Sequence, residues 1–151
     1  MHMQGSVYER LFAVMVALIP DIERPEDGAS YYAPPRIEGD CASYCALSNV
    51  TPTSVDVEIS QDVLIDGAII ASPWMAIRVD RKTRSAELTA IEMTVKGRNE
   101  FQRVQAEDGT ANTRRSQLQA AAVNNLASML MLGGAFQPVG RMACKPAAAE
   151  A

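Results

Sequence analysis

The chain has 151 residues, of which 48% are apolar, 21% charged and only 5% aromatic, and its formal net charge is −4. That length argues for one domain with a real hydrophobic core, and the apolar fraction excludes a wholly disordered chain. No apolar run approaches the roughly 18 residues of a membrane span, and the single histidine, His2, lies at a chain end, which excludes Ser-His-Asp and Cys-His catalysis and a histidine-built zinc site.

In chain order, Ser6-Val7-Tyr8-Glu9 has the spacing of a capping box, a serine at the N-cap with a glutamate three residues on that reaches back to its amide. Tyr8, Leu11, Phe12, Met15, Leu18 and Ile19 then form one apolar stripe, so a helix is predicted over about 7–19, ended by Pro20. The Leu11–Ile19 segment has no basic flank and no small-x-small cleavage site, so it reads as a core helix and not a secretion signal. Residues 20–40 hold Pro20, Pro25, Pro34 and Pro35 and a cluster of acids, and read as a long loop that is extended near Tyr31-Tyr32. Cys41 to Leu47 reads as a first strand with Cys41, Ser43, Cys45 and Leu47 on one face.

Val55, Val57 and Ile59 alternate with Asp56, Glu58 and Ser60, the period-2 pattern of a half-buried strand. Met75, Ile77 and Val79 alternate with Trp74, Ala76 and Arg78, and Ala86 and Leu88 resume after the turn Arg81-Lys82-Thr83-Arg84. A four-residue turn there sets Val79 opposite Ala86 and Ile77 opposite Leu88, with Arg78 opposite Glu87 as an ion pair on the other face. Asp66-Gly67 has the chemistry of a two-residue hairpin turn. Its register, carried along the strands, would set Ile77 against Asp56 and mix the two faces, so a bulge or irregular crossing is predicted between Asp62 and Pro73. A second face switch follows Ala90, where Ile91, Met93 and Val95 take over and the strand bends or ends. Residues 96–112 read as a polar loop. A second helix is predicted from about Thr113, capped by Asn112 or Thr113, with Leu118, Ala122, Leu126, Met129 and Leu130 inward and Gly133-Gly134 as its stop.

These elements make an α+β, two-layer domain over residues 7–140: an N-terminal helix, an antiparallel meander of three to five strands and a C-terminal helix, both helices on one face. Residues 1–6 and 141–151 read as a flexible N-terminus and tail. The odd cysteine count, without a secretion signal, places the chain in the cytoplasm.

Tyr8-Glu9-Arg10-Leu11 leading to Leu18-Ile19-Pro20-Asp21, then Ile59-Ser60-Gln61, then Pro73-Trp74-Met75-Ala76-Ile77-Arg78-Val79-Asp80 and Ala86-Glu87-Leu88, resembles small bacterial families of unknown function. These are the YqiB-like family and a related set of short proteins, some carried on mobile elements. Both share a Met-x-Ile-x-Val strand followed by an Ala-Glu-Leu or Ala-Glu-Val strand, and close with a helix like Gln119 to Leu132. The resemblance spans roughly residues 7–137. The Pro-containing loop at 20–40 and the near absence of histidine depart from the pattern. It implies a fold and a cytosolic setting, and no activity.

Candidate sites are few. Cys41-x-x-x-Cys45 with Cys144 and His2 could supply zinc ligands, but on a strand the two thiols lie about 13 Å apart, so buried structural cysteines are expected. Asp56, Glu58, Asp80, Glu87 and Glu92 with Lys96 invite comparison with metal-dependent nucleases, yet Glu92 and Lys96 are also about 13 Å apart on a strand. Charge is −8 over residues 1–77, +3 over 78–115 and +1 beyond, too weakly basic anywhere to bind nucleic acid. The glycines form no phosphate-cradling loop. What is left is a recognition surface: Tyr31, Tyr32 and Trp74 as aromatic contacts, and Arg81, Lys82, Arg84, Arg114 and Arg115 as basic ones that meet an acidic partner or the chain's own 20–40 loop. The expectation is a non-enzymatic, cofactor-free cytosolic module that binds a protein partner, with homodimerisation through the sheet or C-terminal helix as one form and inhibition of a host defence complex as another. A small divalent-metal enzyme using strand carboxylates is the alternative.

Overall fold

A computed structural model describes residues 6–34, 42–65, 68–95, 98–104 and 113–139, with backbone alone at 62–65, 68–72 and 95. The described chain runs through helix α1 (Val7–Leu18), a 3₁₀ turn (Pro20–Glu23), strands β1 (Ser30–Ala33), β2 (Ser43–Ser48), β3 (Ser54–Ile65), β4 (Ala68–Asp80), β5 (Ser85–Val95) and β6 (Arg98–Arg103), helix α2 (Arg115–Gly133) and a short β7 (Gln137–Pro138). The seven strands form one sheet in the order β6-β5-β4-β3-β2-β1-β7, antiparallel at every step. The class is α+β, as the sequence predicts, but the sheet is larger than the expected three to five strands. The added strands escape a pattern search for physical reasons: β1 and β7 are only four and two residues long, and β6 lies in the segment read as a loop. It is an outer strand exposed along most of its length, so burial imposes no apolar alternation on it.

The capping box on α1 is present in both directions, with Glu9 N–H donating to Ser6 Oγ at 3.2 Å and Ser6 N–H donating to Glu9 Oε1 at 2.8 Å. Leu11, Phe12, Met15 and Leu18 of this helix are buried against Val55, Val57 and Ile59 of β3, Met75, Ile77 and Val79 of β4, and Leu88 and Ile91 of β5. From α2, Leu118, Ala122, Leu126 and Met129 join the same core, and Leu130 packs at its margin. Each such side chain contributes about 1.5–3 kcal/mol through burial. Helix α1 packs on α2, and both touch β5, so the helices share one face of the sheet. Helix α2 begins one residue later than expected from a Thr113 cap: Arg114 occupies the N-cap and makes no side-chain capping bond there, while Asn112 lies outside the described residues. Its C-terminus follows expectation, with Gly134 at φ +77° donating its N–H to Leu130 O.

The registers settle both predicted face switches. In the β4–β5 hairpin Val79 faces Ala86, Arg78 faces Glu87 and Ile77 faces Leu88, but the next pair is Ala76 with Ala90. Thr89 is therefore the extra residue of a bulge, its hydroxyl donating to Ala76 O at 3.1 Å. The bulge turns Ile91 onto the core face, and the strand runs on to Val95 instead of ending. Between β3 and β4, Ile65 faces Ala68 and Asp62 faces Ala71, while the predicted Asp66-Gly67 turn lies outside the described residues. The following pair is Ser60 with Trp74, so β4 carries one residue more than β3 at Ser72-Pro73. A bulge is where proline, having no N–H, is tolerated inside a sheet.

Candidate functional site

With the core on one face, the registers assign the residues of the other. One row crosses the whole sheet: Gln137 on β7, Tyr32 on β1, Tyr44 on β2, Ser60 on β3, Trp74 on β4, Glu92 on β5 and Phe101 on β6. Four of the seven are aromatic. The Tyr32 and Tyr44 rings lie 5.3 Å apart and tilted by 40°, while Trp74 stacks on Phe101 at 6.2 Å. Tyr44 is 39% and Phe101 49% exposed, unusual for large apolar rings in one line. The Trp74 indole N–H donates to Glu58 Oε1 at 3.2 Å, which fixes the ring against β3. Tyr32, Tyr44, Trp74, Glu58 and Ser60, with Gln137 and Pro138 at the β7 rim, line an open groove of about 760 Å³.

The opposite end of the same face is ionic. Arg78 donates from Nε and Nη2 to the two oxygens of Asp56 at 2.8 and 3.3 Å, and Asn49 Nδ2 donates to Asp56 Oδ2 at 2.8 Å. Partial burial pushes the Asp56 carboxyl up, but the Arg78 hydrogen bond, the Asn49 amide and the Arg78 charge outweigh it and hold the group below the ordinary carboxylate range. This corrects the expected Arg78–Glu87 ion pair. The two residues do face each other, but Asp56, steadied by Asn49, offers Arg78 a two-pronged acceptor, and Glu87 pairs with Arg115 at 2.9 Å.

Asp80 is engaged by its own turn. Asp80 Oδ1 accepts the backbone N–H groups of Lys82 and Thr83, and the Thr83 bond is the main reason its carboxyl lies low. Among the described residues no three of His, Cys, Asp and Glu come together as a group that could hold a metal ion. Lys96, His2, Cys41 and Cys144 lie outside the described residues. Cys45 is buried on the core face of β2, and burial pushes its thiol up to about 12.

The eight expected contact residues do not form one patch. Tyr32 and Trp74 stand in the aromatic row. Tyr31 is a correction: strand alternation turns it into the core, 4% exposed, where its hydroxyl donates to Asp21 Oδ2 at 3.2 Å. Arg81 donates to Thr51 O at 2.8 Å and Lys82 projects from the β4–β5 turn. Arg84 lies over the Phe12 ring at 4.7 Å and pairs with Glu23 at 3.3 Å, an instance of the expected neutralisation by the 20–40 loop. Arg114 donates to Gln117 Oε1, and Arg115 lies over Tyr8 at 5.7 Å.

Sequence reasoning missed Tyr44, Glu58 as a groove residue, and Phe101. Tyr44 was within reach, since it sits between Ser43 and Cys45 and alternation puts it opposite the buried thiol. Phe101 was not, because nothing in Arg98–Arg103 alternates. Among the described residues no helix is long and apolar enough to cross a membrane. Compared with family models, with curated proteins and with solved structures, the chain gives no match.

Proposed function

We propose that the protein is a non-enzymatic binding module that recognises a protein partner through the helix-free face of its sheet. The observation that carries this is the in-register aromatic row Tyr32–Tyr44–Trp74–Phe101. Rigid aromatic rings give large contact area at small entropic cost and dominate the energetics of protein interfaces, and this line of them, with Tyr44 and Phe101 exposed and Tyr32 and Trp74 half-buried, lies on the face away from the core. The resemblance to the YqiB-like and mobile-element families supports the fold, and an inhibitor of a host complex is one member of the proposed class. The metal-enzyme alternative draws little support from carboxylates already committed to Arg78, Arg115, Trp74 and turn amides.

The test is comparative capture from a native lysate with the wild type, Tyr44→Ala and the triple variant Arg81→Ala/Lys82→Ala/Arg84→Ala. The reading expects a protein held by the wild type and the triple variant and lost by Tyr44→Ala. Retention by Tyr44→Ala with loss by the triple variant would move the interface to the turn and sink the proposal.

A further inference from the structure

The two ends of the sheet differ. At one, β7 is two residues long and includes Pro138, which has no N–H to offer another strand. At the other, β6 has six residues and no proline, and among the described residues no strand pairs with its outer side. Short strands and prolines keep a sheet edge from pairing with another chain, and β6 has neither. Its charges are of both signs and leave Phe101 between them.

The direction of its backbone groups follows from one bond. Val104 N–H donates to Thr89 O at 3.0 Å, in line with the β5–β6 register that sets Ala90 opposite Arg103. Antiparallel ladders alternate, so Gln102 and Glu100 turn their N–H and C=O toward β5, while Phe101 and Asn99 turn theirs outward. Phe101 is therefore open twice over, with its ring 49% exposed on the helix-free face and its backbone groups on the outer edge. The Thr94 hydroxyl bonds Asn99 Oδ1 at 2.9 Å, which holds the strand in line with β5.

A second copy of this chain fits that edge in one register. Opposite residues of an antiparallel pair share a face, and a two-fold axis makes the pairing reciprocal, so one residue of each strand meets itself at the centre. The middle of β6 lies between Glu100 and Phe101. A centre at Glu100 sets two carboxylates against each other, which destabilises, whereas a centre at Phe101 sets two rings together, which stabilises. With Phe101 at the centre, Glu100 faces Gln102 and Asn99 faces Arg103, so no like charges meet.

We propose that β6 pairs antiparallel with β6 of a second copy, Phe101 opposite Phe101, joining two seven-stranded sheets into one. The helices of both copies then lie on one side, and the two aromatic rows run on into each other across the other side. This goes beyond the sheet-face reading and does not depend on it, since pairing at the edge leaves the face open.

The test is the mass of the full chain in solution by sedimentation equilibrium, which is expected to show a reversible dimer. Phe101→Pro removes the outward N–H and the ring but no bond to β5. It is expected to raise the dimer dissociation constant about tenfold or more, with far-UV circular dichroism unchanged. Paired cysteines read the register. Across the axis Phe101→Cys meets itself, within the roughly 4.4–6.8 Å Cα span of a disulfide, whereas Asn99→Cys meets Arg103. Mild oxidation is expected to link the first variant covalently and the second no more than the wild type, whose own cysteines set the background. A monomeric wild type, a dimer unaffected by Phe101→Pro, or equal linking of the two cysteine variants would overturn the proposal. Should Phe101→Pro lose its fold, the cysteine variants decide alone. Capture lost by Tyr44→Ala from a monomeric chain would leave the sheet-face reading standing and remove only the pairing. A dimer linked through Phe101→Cys, with capture unaffected by Tyr44→Ala, would do the reverse.

Discussion

Gln119 carries more structural duty than its polarity suggests. It is fully buried, its Oε1 accepts the Leu88 N–H at 2.8 Å, and its Nε2 donates to Leu88 O at 2.9 Å. Among the described residues, strand β6 pairs with β5 only from Ala90 onward, and at Leu88 the glutamine amide takes the backbone N–H and C=O as a neighbouring strand would. Gln119→Leu keeps the volume but strands two buried backbone groups, each costing about 1–3 kcal/mol. A loss of about 2–4 kcal/mol in urea unfolding is expected, and a neutral result would mean that water replaces the amide. The buried face also sets the alkaline limit. The Cys45 thiol is pushed up to about 12 by burial, and the Tyr31 phenol to about 12 by burial first, then by the charge and hydrogen bond of Asp21. Both groups lose protons earlier in the unfolded chain, so stability is intact below about pH 9, where the unfolded thiol begins to ionise, and is lost as pH rises toward 12. Urea midpoints measured from pH 8 to 11 are expected to fall, and Cys45→Ala to fall less steeply; parallel curves would place the alkaline loss elsewhere.

Among the elements, α1 was legible because three independent signals coincide: the capping box, the 3.6-residue stripe and Pro20. Ser6→Ala removes the acceptor for the Glu9 amide and is expected to cost about 1 kcal/mol, read as a lower unfolding midpoint with unchanged slope. The β4–β5 register was legible because apolar and charged faces agreed on one alignment, and the β3–β4 bulge because a turn register and a face pattern contradicted each other; after Ala90 the face switch alone was legible, and was read as a bend or an end of the strand. Such a contradiction has few physical resolutions, and an inserted residue is the cheapest. What stayed illegible lacked a burial signal. Arg98–Arg103 is mostly exposed, so its sequence is free of the alternation that betrays a strand, and with it Phe101 and the far end of the aromatic row were hidden. Tyr32 and Trp74 could be singled out as residues, but their common row could not, because it depends on registers across seven strands, two of them shifted by bulges.

At the scale of the whole molecule, the sheet divides labour between its faces, and two neighbours in sequence expose that division. Met75 is fully buried under the helices, while Trp74 points the other way into the groove, held by Glu58 and stacked on Phe101. If stability resides on the helix side and recognition on the other, their truncation costs should separate despite tryptophan being the larger side chain. Met75→Ala leaves a cavity in a closed core and is expected to cost about 2–5 kcal/mol. Trp74→Ala loses a half-buried ring, one stacking contact and one surface hydrogen bond, and is expected to cost about 1–1.5 kcal/mol. Chemical unfolding of the two variants, followed by far-UV circular dichroism because one of them lacks the fluorophore, measures the difference. A Trp74→Ala penalty as large as that of Met75→Ala would mean that the ring is part of a second packed layer, and the aromatic row would then be structural cement with no surface left to offer a partner.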